Sequence, residues 1–177
     1  MVFEKTIEIE KVSKSIGKVN FREAVRAVVI KNNKILMVNS KNKDYKFPGG
    51  GVKKNEDKIE ALKREVEEET GYICSNVKDI IGIVTEKSKD RYYHNKLFKM
   101  ISYYYIVEIS DIQKEQKLDD YEKKLEFRPV WININDAINN NELIIEEKPK
   151  NMPNWIYRET YVLKEIERIT KNNFFNN

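Results

Sequence analysis

The stretch GGVKKNEDKIEALKREVEEETGY, residues 50–72, decides the reading of this chain, because it sets a glycine turn, an amphipathic helix and a dense group of carboxylates in one short segment. On a helix that advances about 100° per residue, Ile59, Leu62 and Val66 share one narrow apolar stripe, which should face a core. Glu65, Glu68 and Glu69 fall together on an arc beside that stripe. Glu60 and Glu67 point elsewhere, to the side where a solvated acid belongs, so the run 67–69 divides into two patches.

Carboxylates three and four apart on a helix repel by roughly 0.2 to 0.5 kcal/mol per pair, so positive charge should sit between them. Three oxygen ligands with no histidine or cysteine among them suit a hard cation, Mg²⁺ or Mn²⁺, rather than zinc. An arbitrary Glu-rich helix would more often be a plain solvated face. Here the fixed gaps around the acids weigh against that alternative.

Those gaps resemble the signature of the Nudix hydrolases, G-x5-E-x7-R-E-U-x-E-E-x-G-U with U a bulky apolar residue. Gly50, Glu56, Arg64, Glu65, Val66, Glu68, Glu69, Gly71 and Tyr72 meet it, the last loosely. The resemblance implies an α/β fold, specifically an α/β/α sandwich with a mixed β-sheet. It implies hydrolysis of a nucleoside diphosphate linked to another group, with Mg²⁺ as cofactor and Mn²⁺ as a substitute. Carried onto this chain, Glu65, Glu68 and Glu69 would hold the metal, with the Gly50 carbonyl a further oxygen. Arg64 would orient Glu65, and Glu56 would support the box through a charge-assisted bond to Arg64. Glu65, Arg64 and Glu68 are thus the catalytic candidates, Glu65 is the first choice of general base, and Glu56 and Gly71 are the structural members.

At 177 residues the chain suits one domain, with residues 171–177 expected to be a poorly ordered tail. A single cysteine, Cys74, allows no internal disulfide, and no secretory, transit or long apolar segment is visible, so a soluble cytoplasmic protein without a membrane partner is expected. The net charge of +4 is mild, yet Lys41, Lys43, Lys46, Lys53 and Lys54 crowd around the glycine turn, which suits a polyanionic substrate.

Ile7 and Ile9 suggest an edge strand followed by a loop. Residues 24–30 and 34–38 read as a hairpin, because Asn32-Asn33 between them tolerate positive φ. The glycine turn follows, and a helix should begin near Asn55 and stop at Gly71. Strands are expected over 77–85 and 98–109. Between them lies a basic, aromatic connection in which Arg91 and Tyr92 are candidates for touching substrate. His94 has no second histidine or cysteine near it, which argues against a zinc site. Residues 111–126 read as a mobile charged loop, residues 127–132 as a strand in which Pro129 argues for an edge or a bulge, 134–140 as a short helix, and 155–170 as a longer one capped by Asn154.

Auxiliary acids are expected from the loop before Trp131, with Glu126, Asp119 and Asp120 as candidates. Around Met152-Pro153-Asn154-Trp155 the chain loosely resembles the base pocket of enzymes that cleanse oxidised purine triphosphates, so Trp155 could stack on a base and Asn151 or Asn154 could read its edge. The family's dinucleotide-sugar branch usually carries a proline about fifteen residues beyond the box, where Lys87 stands here. The leading expectation is a Mg²⁺-dependent triphosphate pyrophosphohydrolase acting on an oxidised purine such as 8-oxo-dGTP. The rivals are a 5′-end RNA pyrophosphohydrolase, another nucleoside diphosphate-X hydrolase and a non-catalytic nucleotide sensor. A homodimer is one assembly left open.

Overall fold

The computed structural model describes residues 1–9, 18–90 and 96–174, and among these eight strands and four helices form, with the box helix packed against both sheets. The larger sheet is mixed, in the order β1-β6-β7-β2, built from β1 (Phe3–Glu8), β2 (Lys18–Val28), β6 (Tyr72–Lys89) and β7 (Lys96–Gln113). β1 pairs β6 and β2 pairs β7 in parallel, while β6 and β7 run antiparallel. The smaller sheet is antiparallel: β4 (Lys34–Asn39) pairs β3 (Ile30–Lys31), β5 (Tyr45–Lys46) and β8 (Arg128–Ile132). The fold is therefore α/β with a mixed sheet.

Asn32 and Asn33 both take positive φ, 51° and 58°, which is the twist a two-residue hairpin between β3 and β4 requires. Pro129 is tolerated because β8 pairs only β4 among the described residues. Alternation along β2 sorts its side chains to two cores. Val25 and Ala27 pack with Leu36, Ala61, Leu62 and Val66 on the face of α1 (Lys58–Thr70). Val28 packs with Phe47, Tyr104, Leu163 and Ile166 on the face of α4 (Ile156–Phe174).

Several expected boundaries move. The box helix starts at Lys58 rather than near Asn55, because the Asp57 side chain caps Ile59 and Glu60 while Asn55 is spent in a turn at φ 64°. Gly71 ends it in the left-handed conformation at φ 74°. Residues 111–126 are not one loop: β7 runs to Gln113, and α2 (Asp120–Lys124) follows with a reciprocal capping box between Asp119 and Glu122. The short helix expected at 134–140 continues as α3 (Ile134–Glu147), because Asn141 and Ile144 bury a further turn and only Lys148, left-handed at φ 46°, stops it. α4 extends through Phe174, into the segment read as tail. Among the described residues no helix is long and apolar enough to cross a membrane.

Candidate active site

The apolar stripe of α1 does what its spacing requires: Leu62 and Val66 are fully buried and Ile59 packs against the same core. This rotates Glu65 and Glu69 inward, leaving them 9% and 1% exposed. Glu67 turns out to Lys114 at 2.9 Å and Glu60 to Lys63 at 2.9 Å, the solvated side of the helix.

Arg64 is the hub of the box. Its guanidinium grips Glu56 with Nε at 2.7 Å and Nη2 at 3.0 Å, and its Nη1 donates to Glu65 at 2.6 Å and Glu68 at 3.0 Å. This bidentate grip pulls the Glu56 carboxyl down to about 2. Burial pushes the Glu65 carboxyl up, against the pull of Arg64. Gly50 is the member of the turn that faces this carboxylate, since a Cβ there would overlap the Glu65 side chain. The Gly50 carbonyl accepts a hydrogen bond from Val25 N at 3.0 Å, which ties the turn to the edge of β2.

The carboxylates that converge in the structure are not all those of the helical arc. Carboxylate oxygens of Glu65, Glu69 and Glu122 all lie within 4.8 Å of one another, while Glu68 stays on Arg64 outside that group. Glu122 arrives by tertiary docking. Beyond β7 the chain passes the end of α1 and satisfies its last carbonyls: Lys117 N donates to Glu68 O at 2.8 Å, and Gln116 Nε2 to Glu69 O at 2.5 Å. The capping box then fixes α2 with Glu122 against Glu69. Burial pushes the Glu122 carboxyl up to about 7, helped by the charge of Glu69.

The Lys46 ammonium reaches this cluster from β5, pairs with Glu69, and lies 4.6 Å above the Phe127 ring. Gly49 N donates to the other Glu69 oxygen at 2.8 Å. Glu65, Glu68, Glu69 and Glu122 thus share the cations Arg64 and Lys46, with the buried Arg26 also acting on Glu65, and Arg64 is itself shared with Glu56. The donor set is all oxygen and short of positive charge, so it fits a hard divalent cation.

Other sequence candidates land elsewhere. Lys46 is buried in its ion pair rather than presented to solvent. Asp119 is the exposed cap of α2, Asp120 is exposed, and Glu126 pairs with Arg128 at 3.2 Å, so none of the three joins the cluster. Trp155 is half-buried, donates its indole N–H to Asp44 at 2.8 Å and meets the Tyr121 ring edge-on; Asn154 lies beside it, half-buried. Arg91 and Tyr92 lie outside the described residues. Glu122 was missed, although Asp119-x-x-Glu122 is a capping-box pattern that announces an ordered helix where a loop was read.

A family model described as NUDIX domain matches residues 20–155. The chain is 36% identical over 108 residues, 59% of this chain and 59% of that protein, to an "ADP-ribose pyrophosphatase" of Methanocaldococcus jannaschii. It is 41% identical over 56 residues, 29% of this chain and 43% of that protein, to an "8-oxo-dGTP diphosphatase" of Buchnera aphidicola. In both cases it therefore spans less than two thirds of the relative's length. Among solved structures it is similar to a MutT NUDIX hydrolase from Burkholderia pseudomallei, at 18% identity and a TM-score of 0.47, covering 66% of this chain and 85% of that one.

Proposed function

The chain belongs to the NUDIX domain family, and on that premise we propose that it is a divalent-cation-dependent hydrolase of nucleoside diphosphates linked to a further group. The observation that carries the reading is the convergence of Glu65, Glu69 and Glu122 within 4.8 Å beside the glycine turn. A divalent cation held there would screen the phosphate charge and acidify the attacking water. Glu69 and Glu65 would supply the buried ligands, and the Arg64 clamp keeps the Glu65 oxygen from rotating away. Glu122, which converges on the same point from α2, outside the box helix, would take the proton from the attacking water. Glu68 would act from the solvent side of Arg64.

Within this class, the first substrate reading is a nucleoside triphosphate, cleaved to a monophosphate and pyrophosphate, with an oxidised purine such as 8-oxo-dGTP as the candidate. It is supported by the shorter relative and by Trp155, whose indole N–H is committed to Asp44 and which would therefore contribute its ring face to stacking. A second reading, ADP-ribose, is favoured by the relation that extends over 108 residues. The test is turnover of ADP-ribose, 8-oxo-dGTP, unmodified nucleoside triphosphates and 5′-triphosphorylated RNA with Mg²⁺ and with Mn²⁺. Hydrolysis of one class identifies the substrate. Binding without hydrolysis of any would refute the enzyme reading in favour of a nucleotide sensor.

A further inference from the structure

Behind the turn that carries Gly49 and Gly50 lies a group of charged side chains that the chemistry does not use. Arg158 and Glu159 on α4 are 1% and 0% exposed, and Glu86 on β6 is 4% exposed. Arg158 Nη1 pairs with Glu86, while its Nε and Nη2 donate to Glu159 Oε1 at 3.1 and 2.5 Å. The second oxygen of Glu159 is aimed at one backbone group: it accepts from Phe47 N at 3.0 Å.

Stability alone is a poor reason for such a group. Taking three charges out of water is costly, and well-packed apolar side chains commonly do as well. α4 is already anchored by the buried Ile156, Val162, Leu163 and Ile166. What apolar packing could not reproduce is the direction of the Phe47 N–H bond. Residues close on both sides of Phe47 hold the buried carboxylate of the site: Lys46, just before it, pairs with Glu69 on one oxygen, and Gly49 N, two residues after it, donates to the other at 2.8 Å.

The segment between them transmits rather than absorbs displacement. Pro48 fixes its own φ, and its carbonyl accepts from Ala27 N at 2.8 Å. Phe47 is fully buried, edge-on to Tyr104 at 5.4 Å between ring centroids. The carbonyl of Gly49 is held by the buried Arg26. Gly49 sits at φ 138°, where a side chain would strike the backbone of Val25.

We propose that the buried ion triad of Glu86, Arg158 and Glu159 positions the Glu69 carboxylate for metal binding, acting through the turn from Phe47 to Gly49. Glu159 is a positioning residue, since it touches neither the cation nor the substrate. The inference rests on the proposed metal-dependent function, and it assigns α4 a part in setting the site. Outer partners of this kind typically change metal affinity by about 10- to 100-fold when lost.

The test compares Glu159→Asp with Glu159→Gln in the full-length protein, reading Mn²⁺ affinity by calorimetry and by the free-Mn²⁺ electron paramagnetic resonance signal. Glu159→Asp keeps the charge beside Arg158 but withdraws the oxygen from Phe47 N. Glu159→Gln keeps the reach but offers one acceptor oxygen where Glu159 uses two, so the oxygen goes to the buried Arg158 and the amide NH2 is turned to Phe47 N. Positioning predicts that both variants weaken Mn²⁺ binding about tenfold or more. Unchanged affinity in either variant overturns the proposal. Leu163→Ala, which removes core from the same helix, should lower the melting temperature and leave the affinity alone. An equal loss of affinity there would mean that general loosening is responsible, and would also overturn it.

A measurement on the unsubstituted protein covers the case in which the variants do not fold. The Phe47 amide should exchange with solvent as slowly as the core amides of β2, and rapid exchange would contradict the proposal. The two readings fail separately. A parent protein that binds Mn²⁺ but hydrolyses no nucleotide defeats the hydrolase reading, and the predicted losses of affinity in that protein still support the triad's role. A parent that binds no Mn²⁺ defeats both.

Discussion

Replacing Glu56 by glutamine is expected to destabilise the protein in a way that depends on pH with a defined sign. Glu56 accepts from Arg64 Nε at 2.7 Å and Nη2 at 3.0 Å and from Lys53 N at 2.8 Å. These bonds hold its carboxyl at about 2 against an ordinary value of 4.5. At 1.36 kcal/mol per unit that gap corresponds to at most about 3 kcal/mol. Both side chains keep roughly a fifth of their surface in water, 17% for Glu56 and 21% for Arg64, so screening reduces the realised share to about 1–2 kcal/mol. Because the folded protein binds the Glu56 proton more weakly than the unfolded chain, unfolding takes up a proton between the two values. The stabilisation is therefore complete above pH 4.5 and is lost as pH falls towards about 2. Urea unfolding of the parent and Glu56→Gln proteins, chelator present, should give a difference of about 1–2 kcal/mol at pH 7 and pH 6 that shrinks at pH 4 and again at pH 3. A difference that stays constant, or grows on acidification, would refute this account of the Arg64 clamp.

Three further outcomes follow from the site. Glu122 has the opposite sign: its carboxyl is raised to about 7 when folded, so without divalent cation its contribution to stability is full below pH 4.5 and is lost as pH rises through about 7, a slope that Glu122→Gln should remove in thermal melts. Glu69→Gln and Glu65→Gln should abolish the rise in melting temperature that Mn²⁺ gives the parent protein, whereas Glu68→Gln should retain most of it, since Glu68 lies on Arg64 outside the three-carboxylate group. Gly50→Ala should cut Mn²⁺ affinity by about tenfold or more in calorimetry while the far-ultraviolet circular dichroism is unchanged, because the added methyl overlaps the Glu65 carboxylate.

The parts of the site that sequence made legible are those governed by helical spacing. Ile59, Leu62 and Val66 determine which way α1 rolls, and that roll alone sends Glu65 and Glu69 inward and Glu60 and Glu67 outward. Gly71 and the Asn32-Asn33 pair were equally readable, since positive φ is a local property of the chain. What spacing could not give was anything assembled from segments far apart. Glu122 reaches Glu69 only because the segment after β7 caps the carbonyls at the end of α1, and that contact depends on where β7 ends. Lys46 shows the same gap from the other side. Crowded lysines suggested a charged surface, but the two-residue strand β5 carries Lys46 under Phe127 and into an ion pair with Glu69.

The clamp and the cluster together explain why four carboxylates can be gathered here without unfolding the end of α1. Arg64 neutralises the side of the group nearest the helix surface, where Glu56, Glu65 and Glu68 meet, and the strong bond to Glu56 keeps it there. Lys46 offsets Glu69 from the opposite side. Between those two cations lie Glu65, Glu69 and Glu122, whose oxygens converge, with the buried Arg26 adding positive charge near Glu65. Fixed cations at the edges reduce the repulsion within the group, and three convergent carboxylates would favour a divalent ion over a further lysine. A lysine would satisfy one charge from one direction, whereas an ion can accept oxygens from all three carboxylates at once.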